Sequence, residues 1–148
     1  MREILFRGKT KKGKWVEGYY CPCVISGFPA LPCIIGKERL DNGIWEPIQV
    51  IPESVGQFTG LTDKNGKKIF EGDIVVVRHK NGEICSIGDV QFSCGVFGVE
   101  WVHTKESRSL VGVFGQRHNL RRFDDNLIEE FEVVGNCWEN PELLEVTE

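Results

Sequence analysis

A chain of 148 residues with 41% hydrophobic and 10% aromatic content holds enough apolar material for one domain or two very small ones, which excludes a chain disordered throughout. Its longest apolar runs, such as residues 74–77, fall far short of the roughly 20 that a membrane-spanning helix needs, and residues 1–7 carry no extended apolar region, so a cytoplasmic protein with no membrane partner is expected. The formal net charge of -4 conceals a polarity, because residues 1–20 carry six Lys or Arg against two acids and residues 123–148 carry nine acids with no Lys or Arg.

From the N-terminus onward a two-residue apolar period dominates. Ile4 and Phe6, then Trp15, Val16, Tyr19 and Tyr20, bracket a turn of Lys and Gly and predict an opening hairpin. Its basic residues Lys9, Lys11, Lys12 and Lys14 have two readings. Clustered lysines displace counterions from phosphate and so contact nucleic acid, and equally they keep an edge hairpin around Gly13 solvated. Residues 21–45 contain Pro22, Pro29 and Pro32 with Gly27, Gly36 and Gly43, which predicts loop with short strands at 33–35 and 44–45. A strand at 48–51 stops at Pro52, and 52–56 suits one helical turn with proline at its first position. The expected boundary falls here. It separates an N-terminal hairpin and irregular β region at 1–51 from a small β-barrel at 52–148 with a short acidic C-terminal helix or tail.

The second part opens with a block at 56–75. Its turn at Asp63, Lys64, Asn65 and Gly66 predicts a tight hairpin, and Gly72 before Asp73 marks a bend into a strand. The block holds no nucleophile paired with a base, no metal-ligand spacing and no phosphate-cradling loop. Apolar segments follow at 69–70, 74–78, 84–87, 90–93, 96–102 and 110–114, parted by Asn81-Gly82, Gly88-Asp89 and Cys94-Gly95. Short strands with a turn between each pair predict a small antiparallel barrel or sandwich. Leu120, Phe123, Leu127, Ile128 and Phe131 stand at helical spacing and predict a short helix or helical turn before a last strand at 131–134. Asn140 reads as a cap, with Pro141 as first helical residue and Leu143 and Leu144 packing back.

The block at 56–75, the opening Arg7-Gly8-Lys9 with Trp15-Val16-Glu17-Gly18-Tyr19, and the close Phe131-Glu132-Val133-Val134-Gly135-Asn136 with Glu139-Asn140-Pro141-Glu142-Leu143-Leu144 together resemble the motifs of the YopX family of phage and prophage proteins. The three motifs keep their order over almost the whole chain. The resemblance implies a mainly β protein with a small antiparallel SH3-like barrel, an N-terminal β-rich extension and one or two short helical turns. It implies phage origin, hence the cytoplasm of a host cell, and it brings no activity and no cofactor.

Candidate sites are few. Cys21, Cys23 and Cys33 are the one group of thiols close in sequence, yet they lack the paired two-residue spacers of zinc knuckles, and free thiols packed as small hydrophobes account for them more simply. His103, Arg117, His118, Arg121 and Arg122 form the one cluster suited to a phosphate ligand, such as a nucleotide to be bound or hydrolysed. Trp15, Tyr19, Tyr20, Trp45, Trp101 and Trp138 exceed what one small core accommodates, so some should face a groove or a partner subunit. The expectation is a non-enzymatic binding or assembly module, homo-oligomeric or bound to a host or phage macromolecule, with nucleic acid one candidate partner.

Overall fold

The computed structural model describes residues 3–23, 30–36, 46–78, 80–93, 95–102 and 131–145, and among them the protein is mainly β, with two antiparallel sheets and short 3-10 turns. Contacts divide the chain into two compact units, Met1–Phe58 and Thr59–Glu148.

In the first unit β1 (Phe6–Lys9), β2 (Trp15–Cys23), β3 (Leu31–Gly36) and β4 (Pro47–Gln49) pair antiparallel in the order β4-β3-β2-β1, and the start of β5 (Gly56–Thr62) pairs with the free side of β1. The expected opening hairpin is present. Thr10 N–H donates to the Lys14 carbonyl at 2.8 Å and Gly13 N–H to the Thr10 carbonyl at 2.9 Å, a closure that needs the positive φ of 83° at Gly13. Leu5, Cys33, Ile34, Val50 and Phe58 are buried in this unit. Proline opens the 3-10 turn Pro52–Ser54 as expected, and that turn is stitched to β1. Ser54 Oγ accepts from Lys9 N–H at 2.8 Å and donates to the Ile51 carbonyl at 2.7 Å, while Ile51 N–H donates to the Lys9 carbonyl at 2.8 Å. Phe58 N–H reaches the Leu5 carbonyl at 2.8 Å. These long-range bonds hold residues 52–58 to the N-terminal strands, so the division lies after Phe58, whereas the proline alone suggests a boundary after Ile51.

In the second unit the end of β5 pairs with β6 (Lys68–Phe70), and a separate sheet has the order β10-β7-β8-β9, with β7 at Asp73–Arg78, β8 at Ile84–Ser93, β9 at Val96–Val102 and β10 at Phe131–Asn136. Its core joins Ile69, Val75, Val90, Val99, Phe131 and Val133, with Val77 and Trp101 packed against it. Each such side chain contributes roughly 1.5–3 kcal/mol on leaving water. Trp101 and Phe131 lie 5.9 Å apart between ring centroids, which sets one of the surplus aromatics, partly buried, against the core.

Four expectations differ from what the fold contains. Among the described residues neither sheet closes into a barrel. Gly88-Asp89 is not a turn, because β8 runs unbroken through both. Gly88 lies opposite Trp101, and a methyl group there would collide with the Glu100 carbonyl, so this glycine serves close strand approach. At the C-terminus Asn140 makes no side-chain cap bond to the 3-10 helix Pro141–Leu144, and Asn136 organises the bend instead, its Oδ1 accepting from the N–H groups of Trp138 and Glu139, both at 3.0 Å. Leu143 is 38% exposed and Leu144 half-buried, so the expected packing of these two leucines is only partial. The expected strands at 44–45 and 110–114, and the helical spacing from Leu120 to Ile128, lie outside the described residues.

Candidate functional site

The buried carboxylates of the 56–75 block, Asp63 and Asp73, accept from backbone N–H groups. Asp63, 5% exposed, accepts from the N–H groups of Asn65 and Lys67 through Oδ1, at 2.8 and 2.9 Å, and from Val133 N–H through Oδ2 at 3.0 Å. Burial pushes this carboxyl up, yet the three N–H donors and the charge of Lys67 outweigh it and hold the carboxyl below its ordinary value. Lys64 N–H donates to the Phe131 carbonyl at 2.9 Å, and the Lys64 ammonium pairs with Glu132, which also accepts from Arg78 Nε at 3.1 Å. Asp73, 1% exposed, accepts from Phe70 N–H at 2.8 Å, and Gly72 bonds to Val90 and Cys137 through its own N–H and carbonyl. Two sequence motifs some seventy residues apart thus form one folding lock. The Cys137 thiol is pushed up to about 11 by burial first and by Asp89 and Asp73 second, which keeps it protonated and a poor nucleophile at neutral pH.

Accessible chemistry in the first unit lies on the β1–β2 hairpin. Lys9 stands opposite Trp15 and Arg7 opposite Glu17, so period two sets all four on one face. The Arg7 guanidinium carbon lies 5.0 Å from the Trp15 ring centroid and Lys9 Nζ lies 5.9 Å from it, both within cation–π range. Lys11, Lys12 and Lys14 are exposed at the tip. The four lysines singled out in the sequence thus lie on one hairpin, with Lys9 on the face that carries Arg7 and Trp15 and with Lys11, Lys12 and Lys14 at the tip. The pattern that points to Arg7 and Trp15 is the alternation Arg7, Lys9 read across the hairpin from Trp15. The other face of the same strands carries Phe6, which meets Tyr20 at 5.5 Å between ring centroids, and both line an open cavity of about 320 Å3 with Ala30, Pro32, Pro52 and Val55.

His103, Arg117, His118, Arg121 and Arg122 lie outside the described residues, as does Trp45. Cys21 and Cys33 are free thiols in directly opposed positions of β2 and β3, and among the described residues no group of three or more His, Cys, Asp or Glu is arranged to hold a metal ion. Tyr19, Tyr20 and Trp138 are exposed, as the count of aromatics predicted for some of them. Among the described residues no helix is long and apolar enough to cross a membrane.

No curated protein matches this chain. Among solved structures it is similar to the crystal structure of protein EF1440 from Enterococcus faecalis, with a TM-score of 0.52 and 27% sequence identity over 98% of this chain and 100% of that one. The family described as YopX protein matches residues 6–145, which include the signature block, the Asp63 lock and the basic hairpin. The chain belongs to the YopX family.

Proposed function

We propose that this protein is a phage or prophage accessory protein that acts in the host cytoplasm by binding rather than by turnover, and that the β1–β2 hairpin is its contact surface for the phosphodiester backbone of nucleic acid. The observation that carries this reading is the joint presentation of Lys11, Lys12 and Lys14 at an exposed tip with Arg7 and Lys9 stacked on Trp15 behind it. Lysine and arginine displace condensed counterions, and the cation–π contacts with Trp15 hold Arg7 and Lys9 in place on the hairpin. Asp63 spends both carboxylate oxygens on backbone donors, which gives it a structural task and leaves the exposed cations as the accessible chemistry of the described residues.

The test is fluorescence anisotropy with labelled single-stranded and duplex oligonucleotides over a range of salt. Binding should weaken as salt rises, and each lysine removed in a Lys11→Ala, Lys12→Ala double variant should lower the slope of log affinity against log salt by about 0.7–0.9. Both positions are exposed, so the variant should fold as the parent does. No binding at low salt, or a variant with the parent's slope, would refute the reading. A second reading, self-association, is supported by the exposed Tyr19, Tyr20 and Trp138 and by the exposed strand β4, which is an edge of its sheet among the described residues, and a monomeric mass in light scattering at micromolar concentration would remove it.

A further inference from the structure

We infer that Cys21 and Cys33 form a dithiol modification site that closes to a cross-strand disulfide on meeting a small-molecule disulfide such as oxidised glutathione. The two residues are exact register partners, flanked by the Tyr20–Ile34 and Pro22–Pro32 pairs, so the ladder on both sides fixes their separation. Opposed residues of antiparallel strands have side chains on one face and Cα atoms about 4.5–5.5 Å apart, and both limits lie within the span of about 4.4–6.8 Å that a disulfide bridges. Cys23, the nearest other thiol in sequence, is paired with Leu31 and has no thiol opposite it.

Burial sets the order of events. Cys21 is half-buried whereas Cys33 is only 4% exposed, so the external disulfide meets Cys21 first. The Cys21 thiolate, its proton released to solvent, attacks one sulfur of the oxidant to give a mixed disulfide and expels one glutathione thiolate, which takes up a proton. Cys33, likewise deprotonated, then attacks the Cys21 sulfur and expels the second glutathione. The protein loses two protons and two electrons, which the oxidant takes up to become two thiols. In a reducing compartment the pair rests as thiols, so closure reports a change of redox conditions. The product would tie β2 to β3 in the strands behind the basic hairpin.

The experiment treats the folded full chain with oxidised glutathione, alkylates the remaining thiols and maps the tryptic peptide of residues 15–37, which contains Cys21, Cys23 and Cys33 and no internal Lys or Arg. The expected result is a peptide lighter by two hydrogens, with Cys23 alkylated and Cys21 and Cys33 protected, and with the same protection in a Cys23→Ser variant. A Cys21→Ser variant should leave Cys33 unmodified by the oxidant, because Cys33 is buried. The inference fails if Cys23 takes one of the partners, if Cys21 and Cys33 both stay open to alkylation, or if urea-unfolded chain yields the same pairing as readily as the folded protein. Neither result bears on nucleic-acid binding, which concerns the tip lysines.

Discussion

Replacing Asp63 with Ala is expected to destabilise the second unit by about 3 kcal/mol, because charge-assisted bonds to three backbone donors vanish and at least the donor on Val133 is left in the interior. Asn65 and Lys67 are exposed, so water replaces part of what their N–H groups lose. Val133 is 9% exposed in the core, and its N–H has no such substitute. Against a domain stability of about 5–15 kcal/mol such a loss is large. Urea titration followed by the fluorescence of Trp101, which packs on Phe131, would report it. An Asp63→Asn variant separates charge from shape: its amide oxygen still serves Asn65 and Lys67, while its NH2 group faces the Val133 donor, so it should fall between parent and alanine. The folded carboxyl sits below its ordinary value of 3.8, so its contribution is complete above that pH and is lost as the pH falls through the lowered folded value. The parent should therefore weaken below about pH 4, and Asp63→Ala should show a shallower decline there. A loss under about 1 kcal/mol in the alanine variant would mean that Asp63 is only a turn former.

That outcome bears on what the sequence can reveal. Residues 63–66 are legible as a hairpin, since Asp, Asn and Gly have local backbone preferences that act within four residues. The acceptance of Val133 N–H by the same Asp63 is not legible, because it depends on where β10 comes to lie after sixty-odd intervening residues have folded. The opening hairpin and the turn at Pro52 could be read for the same local reason. Gly88-Asp89 misled because glycine serves two purposes, positive φ in a turn and absence of a side chain where strands approach, and only the neighbouring strand distinguishes them. Sheet closure was likewise beyond reach: alternation specifies strands and faces, whereas barrel or open sheet is decided by which edges pair. For the candidate surface, the lysines were visible as a charge run. The Arg7 and Trp15 contribution required the register Lys9↔Trp15, and the apposition of Cys21 with Cys33 required the register of β2 on β3.

Gly18→Ala is expected to be the most damaging change in the first unit, at about 3 kcal/mol, since it overfills a site that backbone alone encloses. Gly18 pairs with Phe6 of β1 on one side and with Gly36 of β3 on the other, so it occupies the centre of the ladder. A methyl group there would run into the Ile35 carbonyl, which cannot rotate away as a flexible side chain would. Relief requires β2 and β3 to separate, and that loosens the neighbouring Tyr19–Ile35 and Tyr20–Ile34 pairs and the burial of Ile34. Gly13→Ala is the matched control. Gly13 has open space around it and a φ of 83°, so alanine there meets only the left-handed backbone penalty of about 1–2 kcal/mol at an exposed tip. Amide hydrogen exchange resolves the two cases: Gly18→Ala should lose protection along β2 and β3, and Gly13→Ala should lose it only around the turn. The Cys21–Cys33 pairing depends on the same rungs, so disulfide closure should slow in Gly18→Ala and not in Gly13→Ala. Equal protection across β2 and β3 in the two variants would show that the strands absorb the methyl group, and the role of Gly18 as a spacer between them would have to be abandoned.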